Sequence, residues 1–159
     1  MTDPSTVSEP TPDDTALLCD VMLGSLARIL RMCGYDTAYA LDRGVEADDR
    51  LLRIAREEDR LVLTRDVQLA ERAGERGVLL RARDTDDQLR ELAEHGLALA
   101  LDEPERCSKC NGRVERVGDG EFPDYVPDDA DPVWRCRDCG QYFWRGSHWA
   151  DVRERLEDV

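Results

Sequence analysis

Two C-x-x-C pairs, Cys107 with Cys110 and Cys136 with Cys139, constrain this chain more than any other feature. The 25 residues between the pairs are a ribbon-length spacing, which brings four thiolates to one tetrahedral zinc ion. Disulfides are the competing reading, and the absence of a secretory leader argues against them. Gly112 and Gly140 follow the pairs, where tight turns around thiolates are expected. So short a segment has too little core to fold alone, so zinc is expected to supply folding free energy on the order of 10 kcal/mol. With all four positions filled by Cys107, Cys110, Cys136 and Cys139, no open coordination site remains and the expected role is structural.

The other part of the chain reads differently. Its 159 residues suffice for one ordinary domain plus a small module. Residues 1–15 are nearly devoid of apolar side chains and contain three prolines, which predicts a disordered tail. Residues 16–101 alternate short apolar runs with helical periodicity, predicting an α/β domain with a mostly parallel sheet and helices on both faces. The candidate strands are 16–19, 37–41, 61–64 and 78–82; the candidate helices are 22–33, one opening at Asp48 or Asp49 as its cap, 67–73 and 86–95. The ribbon is expected over residues 102–150, with 151–159 a tail or short helix.

Each candidate strand runs into an aspartate: Asp20, Asp42, Asp66 and Asp84. Parallel strands share a carboxyl edge, where α/β folds bind ligands, so these acids are expected on one edge. Crowded carboxylates repel one another unless a cation bridges them, and Mg²⁺ or Mn²⁺ accepts all-oxygen ligands. Such a centre activates water in phosphodiester hydrolysis. The plainer reading is that each acid caps a helix. It explains Asp42 fully, in an Asp-Arg-Gly turn, and competes evenly for Asp48 and Asp49, whereas Asp20 and Asp66 directly follow apolar strands.

Ser25, Arg28 and Arg31 fall three apart on an otherwise apolar helix and, with Arg65, are candidate phosphate contacts. Cys19 and Cys33 lie in apolar contexts and are expected in the core. Trp134, Tyr142, Phe143, Trp144, His148 and Trp149 gather around the second cysteine pair. They either stack on unpaired bases or form the ribbon's own core and its docking face. No Ser-His-Asp set and no glycine-rich phosphate loop is present.

Net charge is −14, and Lys109 is the only lysine among 22 basic residues. A polyanion partner normally meets a basic surface. Excess Asp and Glu with little Lys also suits a halophilic cytoplasm, where about 1 M salt shortens the Debye length to about 3 Å and local arginines decide binding. No signal peptide and no apolar run long enough to span a bilayer is present, so a cytoplasmic location without membrane contact is expected.

Three stretches together, LCDVMLGSLARILRMCGYD at 18–36, LTRD at 63–66 and YFWRGSHW at 142–149, with the paired cysteines, closely resemble the C-terminal ribonuclease domain of the mut-seven exonuclease family. That domain is a PIN-like nuclease carrying a zinc ribbon. The resemblance implies a PIN-like three-layer fold and metal-dependent cleavage of RNA. It puts the family's acids on Asp20, on Asp48 with Asp49 beside it, and on Asp66, with Asp84 a looser fourth match. An aromatic common in the family is replaced by Ile29, and the usual Tyr-Trp pair is Phe143-Trp144 here; neither departure touches the acids. The leading expectation is therefore a metal-dependent ribonuclease using Mg²⁺ or Mn²⁺ on Asp20, Asp48 and Asp66. The rivals are a non-catalytic RNA- or ribosome-binding zinc-ribbon module and a protein-interaction adaptor.

Overall fold

The computed structural model describes residues 11–118 and 120–159. In chain order its α/β unit comprises β1 (Ala16–Cys19), α1 (Gly24–Met32), β2 (Asp36–Tyr39), α2 (Asp48–Glu58), β3 (Arg60–Thr64), α3 (Val67–Ala73), a 3-10 turn (Gly74–Arg76), β4 (Gly77–Leu79) and α4 (Thr85–Glu94). Then come β5 (Val114–Val117), β6 (Val133–Cys136), β7 (Tyr142–Trp144) and α5 (Ser147–Glu157). The first four strands form one parallel sheet in the order β2-β1-β3-β4, and the last three an antiparallel sheet.

Alternation along the strands divides the core into two layers. Leu17, Cys19 and Leu63 face α1, α4 and α5 through Leu26, Leu30, Leu89, Leu92 and Val152. Leu18 and Val62 face α2 and α3 through Leu51, Leu52, Ala55 and Leu69. The result is a helix–sheet–helix sandwich. Cys19 and Cys33 belong to the first layer, and burial pushes both thiols up to about 12, so neither is reactive at neutral pH.

Several boundaries move for local reasons. Residues 1–10 of the expected tail lie outside the described residues, while Thr15 donates to the Thr11 carbonyl and closes a turn ahead of β1. β4 stops at Leu79 because the N–H groups of Arg81 and Ala82 donate to the Glu91 carboxylate of α4. α2 is capped by Ala47 without a side-chain bond, so the expected Asp48 or Asp49 cap is corrected: both acids stand in the first turn instead. α5 runs through the boundary expected at 150, and its Val152 is buried in the core of the α/β unit.

One topological fact positions the site. From β1 the chain passes to β2 on one side of the sheet by way of α1, and from β3 to β4 on the other side by way of α3, with α1 and α3 on opposite faces. The crevice between the carboxyl ends of β1 and β3 is therefore the switch point at which such sheets bind ligands. Asp20, Thr64 and Asp66 lie there.

Candidate active site

Asp20 follows β1, and its backbone N–H donates to the Leu63 carbonyl of β3 at 3.0 Å, continuing the ladder beyond the strand. Its carboxylate is held from both sides: Oδ1 accepts the Val21 N–H at 2.8 Å, and Oδ2 accepts the Thr64 hydroxyl at 2.7 Å. The same hydroxyl accepts the Asp66 N–H at 3.0 Å, so one fully buried threonine links the two strand-end acids. Thr64 is the site residue that the sequence reading missed. Its signal was a polar β-branched residue closing an apolar strand one position before the Arg-Asp pair.

Asp66 serves twice, because its Oδ1 caps α3 by accepting Gln68 N–H at 2.9 Å and Leu69 N–H at 3.3 Å. Asp48, half-buried, opens α2 at the same edge. Asp49 instead pairs with Arg72 of α3, whose hydrogen bond and charge hold its carboxyl below the usual carboxylate range. Asp84 caps α4 through the Asp87 N–H at 2.9 Å, and the bonds to that residue lower its carboxyl too. These two acids thus have structural partners of their own. Among the described residues, no three carboxylates have ligand atoms within 4.8 Å of one another; the four cysteines alone form such a group.

Tyr39 sets the shape of the Asp20 loop. Its hydroxyl donates to the Val21 carbonyl at 2.6 Å, and a Cβ on Gly24 would come within 3.0 Å of the Tyr39 hydroxyl oxygen, so a side chain there would crowd the ring. Of the expected polar stripe on α1, Ser25 and Arg28 are exposed near this end. Arg31 is corrected: it is 3% exposed, and its guanidinium donates to the carbonyls of Thr37 at 2.9 Å, Ser108 at 3.1 Å and Lys109 at 3.3 Å, with Asp42 at 3.5 Å. It joins α1 to the first cysteine turn and is not available to RNA. Arg65 is half-buried beside Asp66, and its Nε is buried without a hydrogen-bond partner among the described residues.

The cysteine centre lies near the opposite, amino-terminal edge. The four Sγ atoms fall within 4.8 Å of one another, with Cys107 and Cys139 at 3.6 Å and Cys110 and Cys136 at 3.5 Å. Thiolates about 2.3 Å from a tetrahedral zinc stand at nearly that separation. Backbone N–H groups of Gly112 and Asp138 point at Cys110 and Cys136 sulfurs, each at 3.4 Å, as donors that stabilise thiolates. Burial pushes the Cys107 and Cys110 thiols up, so their charged form calls for a cation. The donor set therefore fits zinc. In the first turn Asn111, not Gly112, takes the left-handed backbone at φ 72°, while a Cβ on Gly112 would meet the Cys136 sulfur at 2.9 Å. The Asn111 side chain accepts Thr37 N–H at 2.8 Å and donates to Asp36 at 2.7 Å, fastening the ribbon to edge strand β2.

Trp134 is 2% exposed and is a core residue of the ribbon. Tyr142, Phe143, Trp144 and Trp149 are only half-buried. Among the described residues no helix is long and apolar enough to cross a membrane. No curated protein and no solved structure matches the chain. A family model does, that of the Mut7-C RNAse domain, over residues 15–156. With a parallel sheet whose switch point carries Asp20 and Asp66, a four-cysteine ribbon on its amino side, and that match spanning both, the chain belongs to the Mut7-C RNAse domain family.

Proposed function

We propose that this protein is a metal-dependent ribonuclease whose centre is Asp20, Asp48 and Asp66 at the carboxyl edge of the sheet, and that zinc on the four cysteines is structural. The observation that carries this reading is the Asp20–Thr64–Asp66 linkage at the switch point, because one buried hydroxyl donates to the Asp20 carboxylate and accepts the Asp66 backbone N–H, tying together the two acids that follow adjacent strands. Their chemistry suits a hard divalent cation. Asp20 is held by two hydrogen bonds, Asp66 by its bonds to the start of α3, and Asp48 opens α2 on the same edge as the third ligand of this reading. Bound there, Mg²⁺ or Mn²⁺ supplies a Lewis acid that lowers the pKa of water and offsets charge on the leaving oxygen. The chain itself orients Asp20 through Thr64 and Tyr39, and offers exposed Arg28 and Ser25, with the half-buried Arg65 beside Asp66, to the phosphate. The PIN-like character of the sheet and RNA as substrate belong to the same reading, supported by the family match.

The non-catalytic RNA-binding module is the second reading. It is favoured by the separation of the acids, three of which do not close within 4.8 Å, and by the capping role of Asp66. Incubation of zinc-loaded protein with single-stranded RNA, with and without Mn²⁺ or Mg²⁺, separates the two. Cleavage that depends on added metal supports the nuclease; RNA left intact under every metal condition supports the binding module.

A further inference from the structure

Between the ribbon and the α/β unit lies a cleft of about 270 Å³, walled by Tyr142, Phe143, Trp144 and Trp149, with Met32 and Arg106 closing it from the other side. The size is near the lower end of small-ligand pockets. We propose that this cleft holds one unpaired base of a single-stranded RNA, stacked on the aromatic side chains, with the adjoining phosphates against Arg145 and Arg153.

Two observations select that occupant. The first is the lining: flat aromatic rings, half-exposed to solvent, match a base, which has a π face whatever its identity. The second is charge. On a chain of net charge −14, two guanidinium groups stand over Trp149, one wall of the cleft: Arg145 lies 5.5 Å from its ring centre, and 5.4 Å from that of buried Trp134, and Arg153 lies 5.6 Å from the Trp149 ring centre. Among the described residues Arg145 has no carboxylate partner, and Arg153 meets only Glu157 at 3.8 Å. Both side chains are exposed and without a hydrogen-bonded carboxylate, so beyond their contacts with the indole rings their charge favours an anionic backbone over an uncharged apolar segment. The start of α5 opens on the same cleft with Gly146 as its cap and no acid in its first turn, which adds to the positive field. A Cβ on Gly146 would meet Trp144 Nε1 at 2.5 Å, so glycine is needed for the ring to lie where it does.

The cleft is remote from the acids. From its start there, α5 climbs along the core until Arg155 reaches Asp86 in the first turn of α4, a helix of 11 residues and so about 16 Å long. If the acids cut RNA as proposed above, a base held here lies several nucleotides from the cut, and the cleft favours longer single strands over short ones.

The test uses full-length, zinc-loaded Asp20→Asn protein without added Mg²⁺ or Mn²⁺, so that binding is read without cleavage. Tryptophan quenching and fluorescence anisotropy are followed with a single-stranded oligoribonucleotide, with its blunt duplex and with an apolar peptide. The single strand is expected to bind and quench, and the duplex and peptide are not. Adding Trp149→Leu should weaken binding about tenfold at unchanged zinc content and melting temperature, while Trp149→Phe, which keeps a ring, should stay within about threefold. If Trp149→Leu does not fold, Arg145→Gln is read instead, with weaker binding and a shallower salt dependence expected. Unchanged affinity in the leucine or glutamine variant, equal binding of duplex, or quenching by the peptide alone overturns the proposal. RNA bound through the cleft but never cut by wild type would defeat the nuclease reading and leave this one standing, and the reverse result would do the opposite.

Discussion

Thr64 and Asp36 show how single side chains organise the two ends of the sheet. Thr64 donates to Asp20 and accepts from the Asp66 backbone, so Thr64→Val keeps the shape but frees both partners. Its expected effect is a loss of at least tenfold in RNA cleavage with a cost to stability of only about 1 kcal/mol, read by kinetics and denaturant titration side by side. Asp36 works at the other edge, accepting from Arg60 at 2.9 Å and Asn111 at 2.7 Å, with Arg106 at 3.7 Å. Burial alone would raise its carboxyl, but the Asn111 and Arg60 bonds and the nearby guanidinium charges outweigh that and hold it below its ordinary value. A carboxyl lowered in the folded state stabilises above its unfolded value, and that contribution is lost as pH falls through the folded one. The melting temperature is therefore expected to fall below about pH 4, and less steeply in Asp36→Asn. Identical acid limbs in the two proteins would remove Asp36 from the account.

At the scale of elements, β1 to β4 and α1 to α4 were legible because each carries its own period, whereas their ends, and the short strands β5, β6 and β7, were not, because tertiary partners set them. The Glu91 carboxylate ends β4 from a helix ten residues away, and Ala47 caps α2 although two acids stood ready beside it. Asp20 and Asp66 could be found from apolar runs ending in acids. Thr64 left only a weak trace, a polar residue closing an apolar strand, because its bond to Asp20 forms only when β1 and β3 lie side by side. Arg31 shared a helical stripe with Ser25 and Arg28, yet the stripe spans α1 from the carboxyl edge to the ribbon, so one end faces solvent and the other is buried against the first cysteine turn. That burial makes the ribbon structurally dependent on the sheet and the sheet on the ribbon. Chelating zinc is accordingly expected to unfold β5, β6 and β7 and lower the melting temperature of the remainder, with one zinc per chain by elemental analysis. Protein that purifies without stoichiometric zinc and melts the same would contradict this.

For the whole molecule, the charge of −14 bears on both stability and substrate. Carboxylates spread over so small a chain repel one another at low ionic strength and are screened at high salt, so the melting temperature should rise as KCl approaches molar concentrations. A flat or falling curve would remove the halophilic explanation and turn the net charge against RNA. The central claim remains that the acids at the switch point do chemistry and are not merely helix caps. Cleavage of single-stranded RNA by wild type, Asp20→Asn and Asp66→Asn, measured with saturating Mn²⁺ alongside the melting temperature of each, tests it most directly. The account predicts cleavage by wild type and its loss in both variants, with stability unchanged or slightly raised as carboxylate repulsion is relieved. Variants that cleave as wild type does would contradict it, since asparagine caps a helix about as well as aspartate but cannot replace a carboxylate on a metal.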